Sequence, residues 1–170
     1  LDVPARLGLL LQVCDAVAHA HTHLVLHRDL KPSNVLVDGE GRVKLLDFGV
    51  GSWLDHEGVR AAPAAALRFT PDYAAPEQVQ GGPITTATDV YALGVLAHVL
   101  LTSRHPFNAP PDAPAGRTID ADLALVVVAA MQQDPAARYG SVTALADDRR
   151  RYLTHATIAA RAAATGYRVS

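Results

Sequence analysis

Apolar residues recur at intervals of three and four from Pro4 to about His23, with Leu7, Leu10, Leu11, Cys14, Val17 and Ala18 on one side. That spacing predicts a helix with one buried face. Asp2 stands where such a helix needs an N-cap. Two short β-rich runs follow, Val35-Leu36-Val37 and Val43 to Leu46, joined by Asp38-Gly39-Glu40-Gly41. Turn residues between apolar runs predict a hairpin. A loop containing glycine, alanine and proline extends to about Pro76. Thr88 to Leu101 is then apolar on nearly every face, the pattern of a helix at the centre of a domain. Residues Asn108 to Thr118 are rich in Pro, Ala and Gly and read as loop, and Asp120 to Met131 and Ser141 to Leu153 read as helices, the latter with Ser141 as its cap. From Thr154 to Ser170 apolar periodicity fades, which predicts a C-terminal linker or tail after a domain spanning 1–153.

A chain of 170 residues suits one hydrophobic core rather than two. Fifteen basic against seventeen acidic residues, net −2, lack the basic excess of a nucleic-acid binder. The single Cys14 excludes an internal disulfide and suits a reducing, cytoplasmic location. The apolar run from Leu7 to Val13 is too short to span a bilayer, so no membrane insertion is expected within this chain. The chain opens on Leu1 almost directly into a helical pattern, as a piece of something longer would. His19 and His23 share a helical face, but without a nearby third ligand they are expected to be solvated or satisfied helix residues rather than a metal site.

The chemistry-bearing residues fall in three motifs. His27 to Asn34 read HRDLKPSN, Asp47-Phe48-Gly49 follows the hairpin, and Ala75-Pro76-Glu77 closes the next loop. In this order they resemble the catalytic-loop, DFG and APE signatures of the bacterial, eukaryotic-type serine/threonine protein kinases, over a stretch from near Leu1 to about Leu153. The resemblance implies a mainly α fold, the kinase C-lobe with its small β-hairpin and without an N-lobe. It also implies transfer of the ATP γ-phosphate to protein Ser or Thr hydroxyls. Such a site must position the hydroxyl and neutralise spreading charge, with little covalent work.

By position in the motifs, Asp29 would orient the hydroxyl and accept its proton, and Lys31 would offset γ-phosphate charge. Asn34 and Asp47 would be the Mg2+ ligands, hard oxygen donors for a hard cation, and Leu36 would lie under the adenine. Thr70 resembles the threonine that touches the catalytic aspartate and lysine in serine/threonine kinases, and Val50 is of the β-branched type that favours threonine acceptors. Asp89 resembles the buried aspartate that braces the catalytic loop; as a lone residue it reads equally as a helix cap. Glu77 and Arg138 resemble the family's buried ion pair, and His27 and Phe48 a packed pair inside the lobe. Arg28 would meet a carboxylate of Asp55 or Glu57, since no Ser, Thr or Tyr lies between Trp53 and Phe69.

The 170 residues depart from the family pattern in two places. No GxGxxG loop, VAIK-type lysine or partner glutamate helix precedes His27, and only a Pro-rich stretch follows Phe107 where the family has a further helix. The expected function is therefore that of a serine/threonine kinase acting on a protein substrate with ATP and Mg2+, inactive as these residues alone. The alternative is a non-catalytic, pseudokinase-like interaction module. A small-molecule kinase is disfavoured, because DFG and APE occur together.

Overall fold

The computed structural model describes residues 1–48, 70–108 and 116–161. Gly49, Val50, Asp55, Glu57, most of the Pro-rich stretch and the last residues of the tail lie outside them. Helix α1 spans Val3–Thr22 and is capped as expected: Asp2 Oδ1 accepts the Ala5 N–H at 2.9 Å. It buries Leu7, Leu10, Val13, Cys14 and Val17. The hairpin pairs β1 (Val35–Val37) antiparallel to β2 (Val43–Leu45) with Val35 opposite Leu45 and Val37 opposite Val43. Asp38 organises its turn by accepting the N–H groups of Glu40 (3.0 Å) and Arg42 (2.9 Å), and Gly41 takes the left-handed φ of +76°. Gln12 clips the hairpin to α1, donating to Gly41 O at 3.0 Å and accepting the Val43 N–H at 2.9 Å.

Helix α2, Pro76–Gln80, is one short turn that the sequence periodicity does not reveal. Helix α3 spans Thr86–Thr102, starting two residues before the apolar run, because Thr85 is its cap and its hydroxyl accepts the Ala87 N–H at 3.3 Å. Twelve of its seventeen residues are buried, so it is the axis of the domain. Helices α4 (Ala121–Ala130) and α5 (Val142–Leu153), capped by Asp120 and Ser141, pack on α1 and α3. Leu7, Leu10, Leu93, Leu123 and Leu145 meet in this core, and burying each contributes about 1.5–3 kcal/mol. Gly94 lets α4 approach α3: a Cβ there would meet Met131 Cγ at 2.7 Å and Ala130 Cβ at 2.9 Å. Arg149, 1 % exposed, threads the core, donating to Cys14 Sγ at 2.8 Å and Leu93 O at 3.4 Å and so joining α5 to α1 and α3.

The core continues past Leu153 into residues read as the start of a linker or tail. Ile158 and Ala160 are buried, and the buried Asp148 carboxylate accepts the N–H groups of Ala159 (2.7 Å) and Ala160 (2.9 Å), together with Tyr139 OH (2.9 Å) and Arg151 Nη1 (3.0 Å). A single acidic side chain therefore anchors the segment, a contact that periodicity cannot register. Among the described residues no helix is long and apolar enough to cross a membrane.

Candidate active site

The HRDLKPSN segment runs in an irregular path from α1 to a 3-10 turn at Pro32–Asn34 that leads into β1. Its base is Asp89, which lies in the first turn of α3 at 0 % exposure. Asp89 Oδ2 accepts the His27 N–H at 2.9 Å and Oδ1 the Arg28 N–H at 2.8 Å. Capping falls to Thr85, so Asp89 has the bracing arrangement rather than a cap's. Arg28 sits at φ +68°, a conformation that costs a non-glycine residue roughly 1 kcal/mol and persists only where neighbours hold it. Its N–H is held by Asp89 and its carbonyl by Gln78 Nε2 at 2.9 Å. Gln78 is a residue that sequence reasoning missed. The available signal was its place three residues after Ala75, whose N–H it accepts at 3.0 Å in half of a capping box.

The clamp on Arg28 presents Asp29. Asp29 Oδ1 accepts both the N–H and the hydroxyl of Thr70, each at 2.9 Å. Asp29 Oδ2 meets Lys31 Nζ at 2.6 Å and, more distantly, Asn34 Nδ2 at 3.4 Å. Lys31 Nζ also donates to Thr70 Oγ1 at 2.7 Å. Burial alone would raise the Asp29 carboxyl, but hydrogen bonds from Lys31 and Thr70 outweigh it and hold the group below the usual carboxylate range. Asp29 is thus an ionised acceptor at neutral pH, and the structure brings Asp29, Lys31, Asn34 and Thr70 together on it.

Asn34 is buried and spends its Nδ2 on Asp29 O at 2.8 Å, which leaves its Oδ1 as a ligand oxygen. Asn34 O accepts the Leu46 N–H at 2.9 Å, tying the exit of β2, and hence Asp47, to the catalytic loop. Asp47 is exposed at φ +52°, and its carboxylate has no partner among the described residues. A carboxylate and an amide oxygen fit a hard divalent cation, and among the described residues no cluster of His, Cys, Asp and Glu offers another metal site. His19 and His23 accordingly stack on each other, with His23 Nδ1 2.9 Å from His19 O.

His27 and Phe48 pack with ring centroids 4.8 Å apart, and burial lowers the His27 pKa, keeping its imidazole neutral. Leu36 projects from β1 and is 49 % exposed, an apolar side chain with an open face beside the site. Arg28 Nε and Nη2 are buried without a partner among the described residues. An apolar cavity of about 510 Å3, lined by Leu9, Val13, Val35, Val37, Leu96 and Leu100, contains none of the polar site residues, and the chemistry lies elsewhere.

Behind the site, Glu77 and Arg138 form a bidentate pair, with Oε1–Nη1 and Oε2–Nη2 both 2.8 Å. Thr88 Oγ1 donates to Glu77 Oε1 at 2.9 Å, and the Tyr91 ring lies 4.9 Å from the guanidinium carbon. Neither Thr88 nor Tyr91 is marked in the sequence, because each is defined by a partner distant along the chain.

Residues 6–148 match the family described as Protein kinase domain. The chain is 37 % identical over 163 residues to serine/threonine-protein kinase Pkn1 of Myxococcus xanthus, covering 85 % of this chain and 23 % of that protein. It is 38 % identical over 102 residues to serine/threonine-protein kinase PrkC of Bacillus subtilis, covering 60 % of this chain and 15 % of that protein. Against serine/threonine-protein kinase PknB of Mycobacterium tuberculosis the identity is 30 % over 150 residues, 79 % of this chain and 24 % of that protein. The chain therefore spans about a quarter or less of these relatives, yet the family match covers most of it, and with the assembled HRD segment it establishes that the chain belongs to the protein kinase domain family.

Proposed function

We infer that the chain is the catalytic-loop portion of a serine/threonine protein kinase, a C-lobe that moves the γ-phosphate of MgATP to a Ser or Thr hydroxyl of a protein substrate. The observation that carries this reading is the convergence of Lys31, Asn34 and Thr70 on the Asp29 carboxylate, from positions up to 41 residues away. Asp29 orients the acceptor hydroxyl and takes its proton as the oxygen attacks phosphorus. The acceptor approaches Oδ2, where the 3.4 Å contact with Asn34 is the longest of the four and yields most readily. Lys31, already bridging Asp29 and Thr70, offsets charge on the transferred group, and Leu36 supplies an apolar floor for the adenine. Asn34 and Asp47 hold Mg2+, which when bound neutralises phosphate charge.

The clamp that grips ATP, a glycine-rich loop and a strand lysine, is not among the 170 residues and in this reading is supplied from outside them. These residues alone are therefore expected to transfer phosphate barely above background, and the same residues joined to the glycine-loop half of PrkC to transfer it readily. The check is transfer of labelled γ-phosphate to a basic Ser/Thr-containing protein by both forms. Robust turnover by the 170 residues alone, lost in Asp29→Asn, would overturn the external clamp; an inactive but folded joined form would favour the non-catalytic interaction module.

A further inference from the structure

His21 makes a contact that its place in a His-rich helix end does not announce. Its Nε2 lies 2.8 Å from Asp89 Oδ2, the same oxygen that accepts the His27 N–H at 2.9 Å. The side chains are 10 % and 0 % exposed, so the contact is nearly dry. A carboxylate that takes two backbone N–H groups has only acceptor character to offer His21, so Nε2 must carry the proton. Asp89 then has three donors, of which His21 alone is a side chain. It comes from the last turn of α1, whereas Asp89 belongs to the first turn of α3.

We propose that His21 is a positioning residue for phosphoryl transfer, holding the Asp89 carboxylate in the orientation that clamps the Arg28 peptide and thereby aims Asp29. This rests on the reading of Asp29 as the group that handles the acceptor hydroxyl. The coupling runs through a strained residue. Arg28 keeps φ +68° only while Asp89 grips its N–H and Gln78 its carbonyl. A carboxylate free to rotate in a buried pocket releases one of those grips, Arg28 relaxes toward an ordinary φ, and the next residue along the chain is Asp29. His21 thus acts on Asp29 without touching it.

Two measurements on the full 170-residue chain test this, and neither needs phosphoryl transfer, so they stand or fall apart from the proposed activity. The first is the nitrogen NMR signature of His21 in the unmodified chain, expected to show a protonated, hydrogen-bonded Nε2. A deprotonated Nε2, with the proton on Nδ1 alone, would overturn the proposal even if every variant failed to fold. The second is backbone amide exchange in His21→Ala and His21→Gln, the glutamine placing an N–H donor near the position of Nε2. In His21→Ala the His27 and Arg28 amides should exchange about ten-fold faster, while the amide of Val127 in α4 keeps its rate. His21→Gln should return them most of the way. Unchanged His27 and Arg28 exchange in His21→Ala, an equal acceleration at Val127, or a glutamine variant as fast as the alanine one would each reduce His21 to an ordinary packing residue.

Discussion

Replacing Asp29 with Asn, in the 170 residues joined to a glycine-loop half, is expected to lower the phosphoryl-transfer rate by about three orders of magnitude, within the span general-base catalysis supplies. The carboxylate accepts from Thr70 N–H, Thr70 Oγ1, Lys31 Nζ and Asn34 Nδ2. An amide offers one oxygen in place of two and turns an N–H2 toward at least one of these donors. Lys31 then loses its anionic partner, and the acceptor hydroxyl loses the group that would take its proton. The fold should survive, because Asp29 is partly exposed and lies outside the apolar core. Steady-state transfer assays with circular dichroism as the folding control check this. A well-folded Asp29→Asn form within about ten-fold of the unmodified rate would remove Asp29 from the chemistry.

Replacing Arg138 with Met is expected to destabilise the fold by about 3–5 kcal/mol, the range for stranding one member of a buried ion pair. Every donor of this guanidinium is used. Nε reaches Gln132 O at 2.7 Å, Nη1 reaches Glu77 Oε1 and Ala87 O at 2.8 Å each, and Nη2 reaches Glu77 Oε2 at 2.8 Å and Gln133 O at 3.0 Å. Removing the side chain strands the carboxylate and three carbonyls. Lysine has neither the planar fork nor the donor count, so Arg138→Lys should recover less than half of the loss. In a melting experiment on a chain of this size the methionine variant should melt roughly 10 °C lower.

The same pair sets a pH dependence. Burial would raise the Glu77 carboxyl, but Arg138, the local backbone and Thr88 outweigh it and bring it below its ordinary value of 4.5. A depressed carboxylate pKa stabilises the fold above the unfolded value and stops doing so as pH falls through the folded one. The gap in melting temperature between the unmodified chain and Arg138→Met should therefore be widest near neutrality and narrow below pH 4.5. A gap independent of pH would mean that the ion pair is not what Arg138 contributes.

What the sequence made legible follows from how far apart the interacting residues lie. Periodicity located α1, α3, α4 and α5, and turn residues located the hairpin, because each signal is local. The early start of α3 escaped it, since Thr85 and Thr86 are polar and only the Thr85 cap shows that the helix has begun. Residues near 158 escaped it too. Ile158 and Ala160 are buried because Asp148 receives the neighbouring backbone, and a three-residue stretch against a distant carboxylate has no period.

The candidate site divides in the same way. Asp29, Lys31, Asn34, Asp47 and Thr70 could be named from motif resemblance, and the structure gathers four of them around one carboxylate and ties the fifth to the loop through the Leu46 N–H. His21 and Gln78 could not, because each earns its place by bonding to an atom 50 or more residues away in the chain: His21 to Asp89, and Gln78 to the Arg28 carbonyl.

The most direct test of the central reading is to identify which residue becomes phosphorylated when the joined form is incubated with labelled ATP, Mg2+ and a peptide offering Ser, Thr and Tyr. Label is expected on Ser or Thr, dependent on Mg2+, and absent in a well-folded Asp47→Asn form, whose amide leaves the cation one carboxylate short. Label on Tyr, or label on any residue at a rate that Asp47→Asn leaves unchanged, would contradict the account.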